Sequence, residues 1–353
     1  MKLFGNKKSR KSKVLKIIII TLAIILALGA GAWAAFDLYI SPPEQKGATA
    51  AGQSESAGDD GEYTVDKTGK VDGRYTFLVA GEDDEYGGTD VIMVGMLDTN
   101  EGELNIISIP RDTMVNVPWD VKKANSYKNM YEYLEEDYDT YIDAMIGGVE
   151  NLIGYKVDSY ITVDLNAFIT LVDAVGGVDF DVPQNMSYSD PTQDLYIDLK
   201  AGYQHLDGDK AMQLIRFRDY LRGDLDRINV QHDFLSALVG EILSLKSLGA
   251  IDDYIQIFNE NVDTDLTLSN LLWYAKQIMN LDSPSVHFYT AENTEYDHNG
   301  SYVTLNVDEW LEQINTYINP YKEDITVDDL DIITQNDNGV IYLTKDQDTT
   351  TAS

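Results

Sequence analysis

The chain has 353 residues, a formal net charge of -34 from 26 basic and 60 acidic residues, and no cysteine. So acidic a surface repels DNA and RNA, which excludes nucleic acid as a partner, and the lack of thiols excludes disulfides and thiolate metal sites. The length suffices for one large domain or two ordinary ones, and the composition is that of a globular protein.

Residues 1–16 are a basic head: seven of the basic residues lie there, with no acidic one. Ile17 to Phe36 follows, twenty residues without a charge. At about 1.5 Å per residue it spans the roughly 30 Å hydrocarbon core of a bilayer. Ala32-Trp33-Ala34 has the small-x-small form of a signal-peptidase site, but cleaved apolar regions run to about 15 residues at most, so an uncleaved anchor is the better reading. The positive charges before it place the N-terminus in the cytoplasm and the rest of the chain outside. Residues 37–70 are rich in Pro, Gly, Ala, Ser and acid and read as a flexible linker.

Tyr75 to Ala80 is a short apolar run of the buried-strand kind, ending in Gly81. An acidic, glycine-bearing loop leads through Asp83 and Asp90 to a second strand, Val91 to Leu97. A third, Leu104 to Ile109, stops at Pro110-Arg111-Asp112-Thr113. Strands two and three are close enough to pair as a hairpin, so the loops after strands one and three open at the same sheet edge. Lys122 to Tyr141 is charged and tyrosine-rich and reads as a surface helix. Helices are predicted over Tyr141 to Leu152 and Leu165 to Val175, strands over Ser159 to Val163, Val178 to Val182 and Leu195 to Leu199, and a turn over Gly202 to Gly208. Asp209 to Ile215 is a short helix. A longer helix begins at Gly223-Asp224, where Asp224 can cap the free amides, and carries Ile228, Leu235, Leu238, Ile242 and Leu245 as an apolar stripe. Helices over Ile251 to Phe258, Leu266 to Leu281 and Val307 to Ile318 alternate with short strands such as Val286 to Tyr289. Residues 322–353 read as an acidic, frayed tail.

Several residues could carry chemistry. Asp83 and Asp90 flank one short loop, and paired carboxylates suit Mg²⁺; composition alone favours solvated surface acids in so acidic a chain. Arg111 is read equally well as an anion ligand or as the partner of Asp112 in a turn. Only six arginines lie beyond residue 16, and four of them, Arg216, Arg218, Arg222 and Arg227, fall in one twelve-residue stretch. Arg216 and Arg218 point the same way if that segment is extended. Arg227 and Gln231 share a helix face near a helix start, where anions are favoured. Guanidinium groups suit phosphate. The competing reading pairs these arginines with Asp219, Asp224 and Asp226. No Ser, Cys or His constellation points to nucleophilic catalysis, and no P-loop motif occurs.

Taken in order, these features resemble the LytR-CpsA-Psr family of Gram-positive cell-envelope proteins. The match rests on the single anchor, on Gly81-x-Asp83 with Asp90, and on Ser108-Ile109-Pro110-Arg111-Asp112-Thr113. It is completed by Ala211-Met212, Arg216-x-Arg218, Gly223-Asp224-x-Asp226-Arg227 and Gln231. The resemblance covers residues 71–321. It implies one extracellular α/β domain, a central mixed β-sheet flanked by helices, behind the transmembrane helix. It implies a phosphotransferase that moves a teichoic acid or capsular glycopolymer from a polyprenyl-pyrophosphate carrier to peptidoglycan through a phosphodiester, with Mg²⁺. By position, Asp83 and Asp90 hold the metal. Arg111, Arg216, Arg218 and Arg227 bind the pyrophosphate, and Gln231 orients it. Asp224 is the candidate for accepting the proton of the attacking hydroxyl. Two family positions that carry a basic residue are Gly88 and the pair Asn229-Val230 here, and Arg222 is a possible replacement. Those departures keep open a non-catalytic carrier-binding protein or membrane-bound regulator. A plain pyrophosphatase acting on the carrier is a third reading.

Overall fold

A computed structural model describes residues 40–46, 69–83, 88–193, 195–221, 224–244, 262–281, 285–297, 301–336 and 338–345. The expected anchor at 17–36, most of the linker, Arg222 and the helix expected over 251–258 lie outside the described residues, as do the side chains of Asp83 and Asp224. Among the described residues no helix is long and apolar enough to cross a membrane.

In chain order the strands begin with β1 (Arg74–Asp83), β2 (Gly88–Asp98) and β3 (Glu103–Ser108), followed by helix α1 (Tyr141–Ile153). Then come β4 (Ser159–Asp164), α2 (Leu165–Val175), β5 (Val178–Val182), β6 (Met186–Asp190), β7 (Leu195–Leu199) and β8 (Gly202–Leu206). Helices α3 (Gly208–Arg216) and α4 (Asp224–Ser244), strand β9 (Val262–Thr264) and helix α5 (Leu268–Met279) follow. The chain closes with β10 (Val286–Thr290), β11 (Asn293–Asp297), β12 (Ser301–Leu305), α6 (Val307–Gln313), β13 (Ile333–Gln335) and β14 (Ile341–Leu343). Residues 71–321, expected as one domain, divide between two compact units: Pro43–Thr162 with Val286–Ser353, and Val163–Ser285 with Met1–Pro42. Apolar and acidic residues run through the boundary unchanged, so composition does not mark it.

The first unit is built on a mixed sheet in the order β10-β3-β2-β1-β4. The pairs β1–β2 and β2–β3 are antiparallel, whereas β10 runs parallel to β3. Strand β2 is buried without interruption from Ile92 to Leu97, as expected of a central strand with both faces covered. Gly95 is there because the Phe77 ring lies across it: a Cβ would sit 2.3 Å from Phe77 Cζ. Helix α1 starts at the Thr140 cap, which accepts from the Asp143 amide at 3.2 Å, and stops at Gly154 in the left-handed region (φ 81°). It buries Met145, Val149 and Leu152 in a core shared with Leu78, Ile107 and Trp310. The Trp310 indole donates to the Leu152 carbonyl at 2.7 Å.

Several expectations for this unit are corrected. The helix expected over Lys122 to Tyr141 is confined to 124–133, where a one-turn α-helix over Tyr127–Met130 is flanked by two 3₁₀ turns, and it is not purely a surface element, since Tyr127 is buried. The described part of the acidic C-terminal segment, 322–336 and 338–345, is folded: β13 and β14 pair, and Leu330, Ile332 and Thr334 are buried. Its described acids are exposed or partly exposed while every buried position described is apolar or threonine, so overall acidity concealed the pattern. Part of the expected linker is pinned. Gln45 Nε2 donates to the Arg74 carbonyl at 2.7 Å, and the Lys46 amide donates to Asp158 Oδ1 at 2.7 Å.

In the second unit α2 is capped by Asp164, which accepts from the Ala167 amide at 2.6 Å, and ends at Gly176 (φ 92°). Strands β5 and β8 pair antiparallel, as do β6 and β7. The turn expected at Gly202 to Gly208 is therefore largely strand β8. Phe234 of α4 is fully buried between Phe168 and Phe180, with ring centroids at 6.1 and 5.6 Å. Of the expected stripe Ile228 and Leu238 are buried and Leu235 is half-buried, while the side chain of Ile242 and the whole of Leu245 lie outside the described residues.

Candidate functional site

In the sheet unit the antiparallel register brings two expected site residues together. Asp83 pairs with Gly88 and Glu82 with Thr89, after a register shift at Gly81. At the same sheet end the Ile109 amide donates to the Ile92 carbonyl at 2.8 Å as the chain leaves β3. The chain then turns, Thr113 donating to the Pro110 carbonyl at 2.9 Å. This carries Arg111 to Asp90, with Nη1 2.5 Å from Oδ1 and side chains 22% and 36% exposed. The alternative of an Arg111–Asp112 pair does not occur: Asp112 takes Lys123 at 2.9 Å, because successive residues of the turn point to different neighbours. Backbone contacts hold the turn, with Asn125 donating to the Arg111 carbonyl at 3.0 Å and Val303 to that of Asp112 at 3.1 Å. The guanidinium is thus presented on a fixed backbone.

Asp90 is partly exposed, and its Oδ1 takes Arg111. A carboxylate has two acceptor oxygens, and Mg²⁺ needs only one or two carboxylates if phosphate and water complete its shell. Among the described residues no group of three or more His, Cys, Asp or Glu forms a self-sufficient metal cage.

The second unit holds the remaining expected residues. Arg216 is the last residue of α3, and Phe217 after it turns to an extended conformation (φ -67°, ψ 133°). The expectation that Arg216 and Arg218 project from one extended segment is therefore corrected. The Asp207 cap, accepting from Lys210 at 3.0 Å, starts a helix that takes in Arg216. Arg218 is exposed, whereas Arg227 in the first turn of α4 is 6% exposed. Gln231, one turn further on, donates through Nε2 to the Ile215 carbonyl at 3.0 Å. That amide ties the start of α4 to the end of α3, beside Arg216. Asp224 is the first residue of α4.

Two residues near these arginines carry perturbed protonation that the sequence did not flag. Burial pushes the Tyr220 phenol up to about 12, against the opposing pull of the Arg227 charge, so Tyr220 stays neutral beside Arg227. Burial lowers His232, next to Gln231, to about 4, so its imidazole is neutral at pH 7. Spacing on α4 could have placed His232 inward, four residues after Ile228; nothing local marks Tyr220 as buried.

A mixed sheet with a carboxylate–guanidinium pair at the end of its central strands, and a helical unit with arginines around a helix start, define an α/β protein. The chain belongs to the LytR_cpsA_psr family, whose model matches residues 43–319. It is 27% identical over 301 residues to TagV of Bacillus subtilis, a polyisoprenyl-teichoic acid–peptidoglycan teichoic acid transferase, covering 80% of this chain and 74% of the relative. It is 30% identical over 190 residues to TagU of Oceanobacillus iheyensis, a transferase of the same description, covering 54% of this chain and 57% of the relative. The crystal structure of B. subtilis TagV superposes with a TM-score of 0.53 at 26% identity, over 68% of this chain and 94% of that one. The mixed α/β architecture with a central sheet is thus that of the family.

Proposed function

We propose that the protein transfers a glycopolymer, of the teichoic acid class, from a polyprenyl-pyrophosphate carrier to peptidoglycan. The Asp90–Arg111 pair is the observation that carries this reading, with family membership in its support. A hydroxyl oxygen of peptidoglycan attacks the phosphorus that bears the glycan. The bond from that phosphorus to the carrier phosphate breaks, polyprenyl phosphate leaves, and a phosphodiester remains.

Such a reaction needs charge neutralisation and alignment more than covalent catalysis. Arg111, Arg216, Arg218 and Arg227 are assigned to the pyrophosphate oxygens, where guanidinium forks give bidentate contacts. Tyr220 lies neutral beside Arg227. Gln231 acts by bracing α4 on α3 through the Ile215 carbonyl. Asp224 is assigned as acceptor of the hydroxyl proton. Asp83 and Asp90 would hold Mg²⁺, which would offset the charge of the phosphates. The apolar segment Ile17 to Phe36 would anchor the protein in the membrane, with its folded units outside, where a lipid-linked donor is concentrated.

The test uses the full chain in nanodiscs with a polyprenyl-pyrophosphate-linked glycan, peptidoglycan and Mg²⁺. Acceptor-dependent release of polyprenyl phosphate is the expected result. Binding of the donor with no release would instead support a non-catalytic carrier-binding protein, the reading that Gly88 and Val230 favour because they stand where the family carries basic residues. Release without an acceptor would indicate a pyrophosphatase.

A further inference from the structure

Glu82 lies between Gly81 and Asp83 and is 7% exposed. Its Oε2 accepts from Lys128 Nζ at 3.0 Å and from the Tyr141 hydroxyl at 3.0 Å. The Lys128 ammonium also lies 5.3 Å from the centre of the Tyr141 ring. Its Oε1 is buried and accepts no hydrogen bond among the described residues. A buried carboxylate with one oxygen unmatched costs free energy, and an apolar residue at this position would avoid that cost. Stability alone therefore does not account for a glutamate here.

Its position does. Glu82 pairs in register with Thr89, and Thr89, 1% exposed, donates to Met145 Sδ at 3.6 Å. Tyr141 and Met145 are four residues apart on α1 and so share one face. The residue before Asp83 and the residue before Asp90 are thus fastened to successive turns of a single helix. Strand alternation then puts Asp90 on the opposite face from Thr89, where it meets Arg111. The charged contact at Glu82 is directional, and it lies immediately behind the hairpin that carries both candidate metal carboxylates.

We propose that Glu82, gripped by Lys128 and Tyr141, is a positioning residue that fixes the β1–β2 hairpin and thereby sets the divalent-cation affinity of Asp83 and Asp90. The inference rests on the assignment of those two aspartates to the cation. Outer-shell partners of this kind typically change metal affinity about 10–100-fold when removed.

The experiment titrates the full chain in detergent with Mn²⁺, a stand-in for Mg²⁺, and counts free Mn²⁺ by its EPR signal. Glu82→Gln keeps the size of the side chain and an acceptor for Tyr141 but removes the charge opposite Lys128. It is expected to weaken Mn²⁺ binding by about tenfold or more with an unfolding temperature close to wild type. Lys128→Met should weaken binding likewise, and Lys128→Arg should restore it, a rescue that general loosening of the fold would not give. Should Glu82→Gln fail to fold, Tyr141→Phe and the Lys128 pair carry the same comparison. Wild-type Mn²⁺ affinity in Glu82→Gln and Lys128→Met would overturn the positioning role while leaving the cation site intact. A wild-type protein that binds no Mn²⁺, or whose binding survives Asp90→Asn, would overturn the cation assignment itself and this inference with it.

Discussion

Replacing Arg111 by alanine separates the chemical role of its guanidinium from any structural one. The side chain is 22% exposed and its ion-pair partner Asp90 is 36% exposed. Once unpaired, Asp90 can hydrate, so the stability lost is that of a half-exposed ion pair, about 1 kcal/mol or less. For a protein of this size that lowers the unfolding temperature by about 2–4 °C. The turn itself persists, because Asn125 bonds the backbone carbonyl of Arg111 and not its side chain. On the pyrophosphate the loss is larger, since a preorganised donor aimed at developing charge contributes about 3–4 kcal/mol to the transition state. Turnover should therefore fall by about 10²–10³. The assay follows polyprenyl phosphate release by the nanodisc-embedded protein, with thermal unfolding recorded in parallel. Arg111→Lys keeps a charge but loses the fork, and should recover only part of the rate. Wild-type turnover in Arg111→Ala would refute the assignment, and equal losses of activity and of folded protein would show that Arg111 serves the fold alone.

Gly95→Ala should destabilise the sheet unit by about 1–3 kcal/mol, since the new Cβ meets Phe77 Cζ at 2.3 Å; adding Phe77→Leu should restore part of that, measured as a double-mutant cycle of chemical denaturation. His232, lowered to about 4, favours its neutral form in the fold. Its contribution is present above the ordinary value of 6.5 and is lost as pH falls toward 4, by up to about 3 kcal/mol. Unfolding temperatures of His232→Gln should hence gain on wild type between pH 7 and 4. Glu150 has the opposite sign. Burial raises it to about 7 from 4.5, against the Val157 amide and the charges of Lys156, Lys46 and Lys70. The folded state then holds a proton that the unfolded state has released, so stability falls as pH rises from 4.5 to about 7 and is level beyond. Glu150→Gln should gain on wild type across that window, and a flat difference would contradict the assignment.

What the sequence disclosed follows the range of the signals involved. The apolar runs of the first three strands and the Gly154 and Gly176 stops are local, and they fell where expected. The start of β2 and the loop after β3 lie at one end of the sheet because hairpin geometry dictates it, and the Asp90–Arg111 contact follows. Arg216 was misplaced because an Arg-x-Arg spacing says nothing of whether a preceding helix has ended, and α3 runs through it. The two-unit division was hidden because its second core, around Phe234, joins α4 to α2 and β5, which lie more than forty residues earlier in the chain. Glu82 looked like one more acid in an acidic loop. Its partners are 46 and 59 residues away, beyond any local pattern. The C-terminal strands were masked by the charge around them, although Leu330 and Ile332 are fully buried.

The central claim is that this chain forms a phosphodiester between a glycan and peptidoglycan. The most direct measurement incubates the full chain in nanodiscs with a polyprenyl-pyrophosphate-linked glycan and peptidoglycan, digests the product to small fragments, and reads the linkage by phosphorus NMR and mass spectrometry. A phosphodiester-linked glycan–muropeptide should form with Mg²⁺, fail to form with EDTA, and be lost in Arg111→Ala. Intact donor recovered beside unmodified peptidoglycan, from a folded wild-type protein with Mg²⁺ present, would contradict the claim.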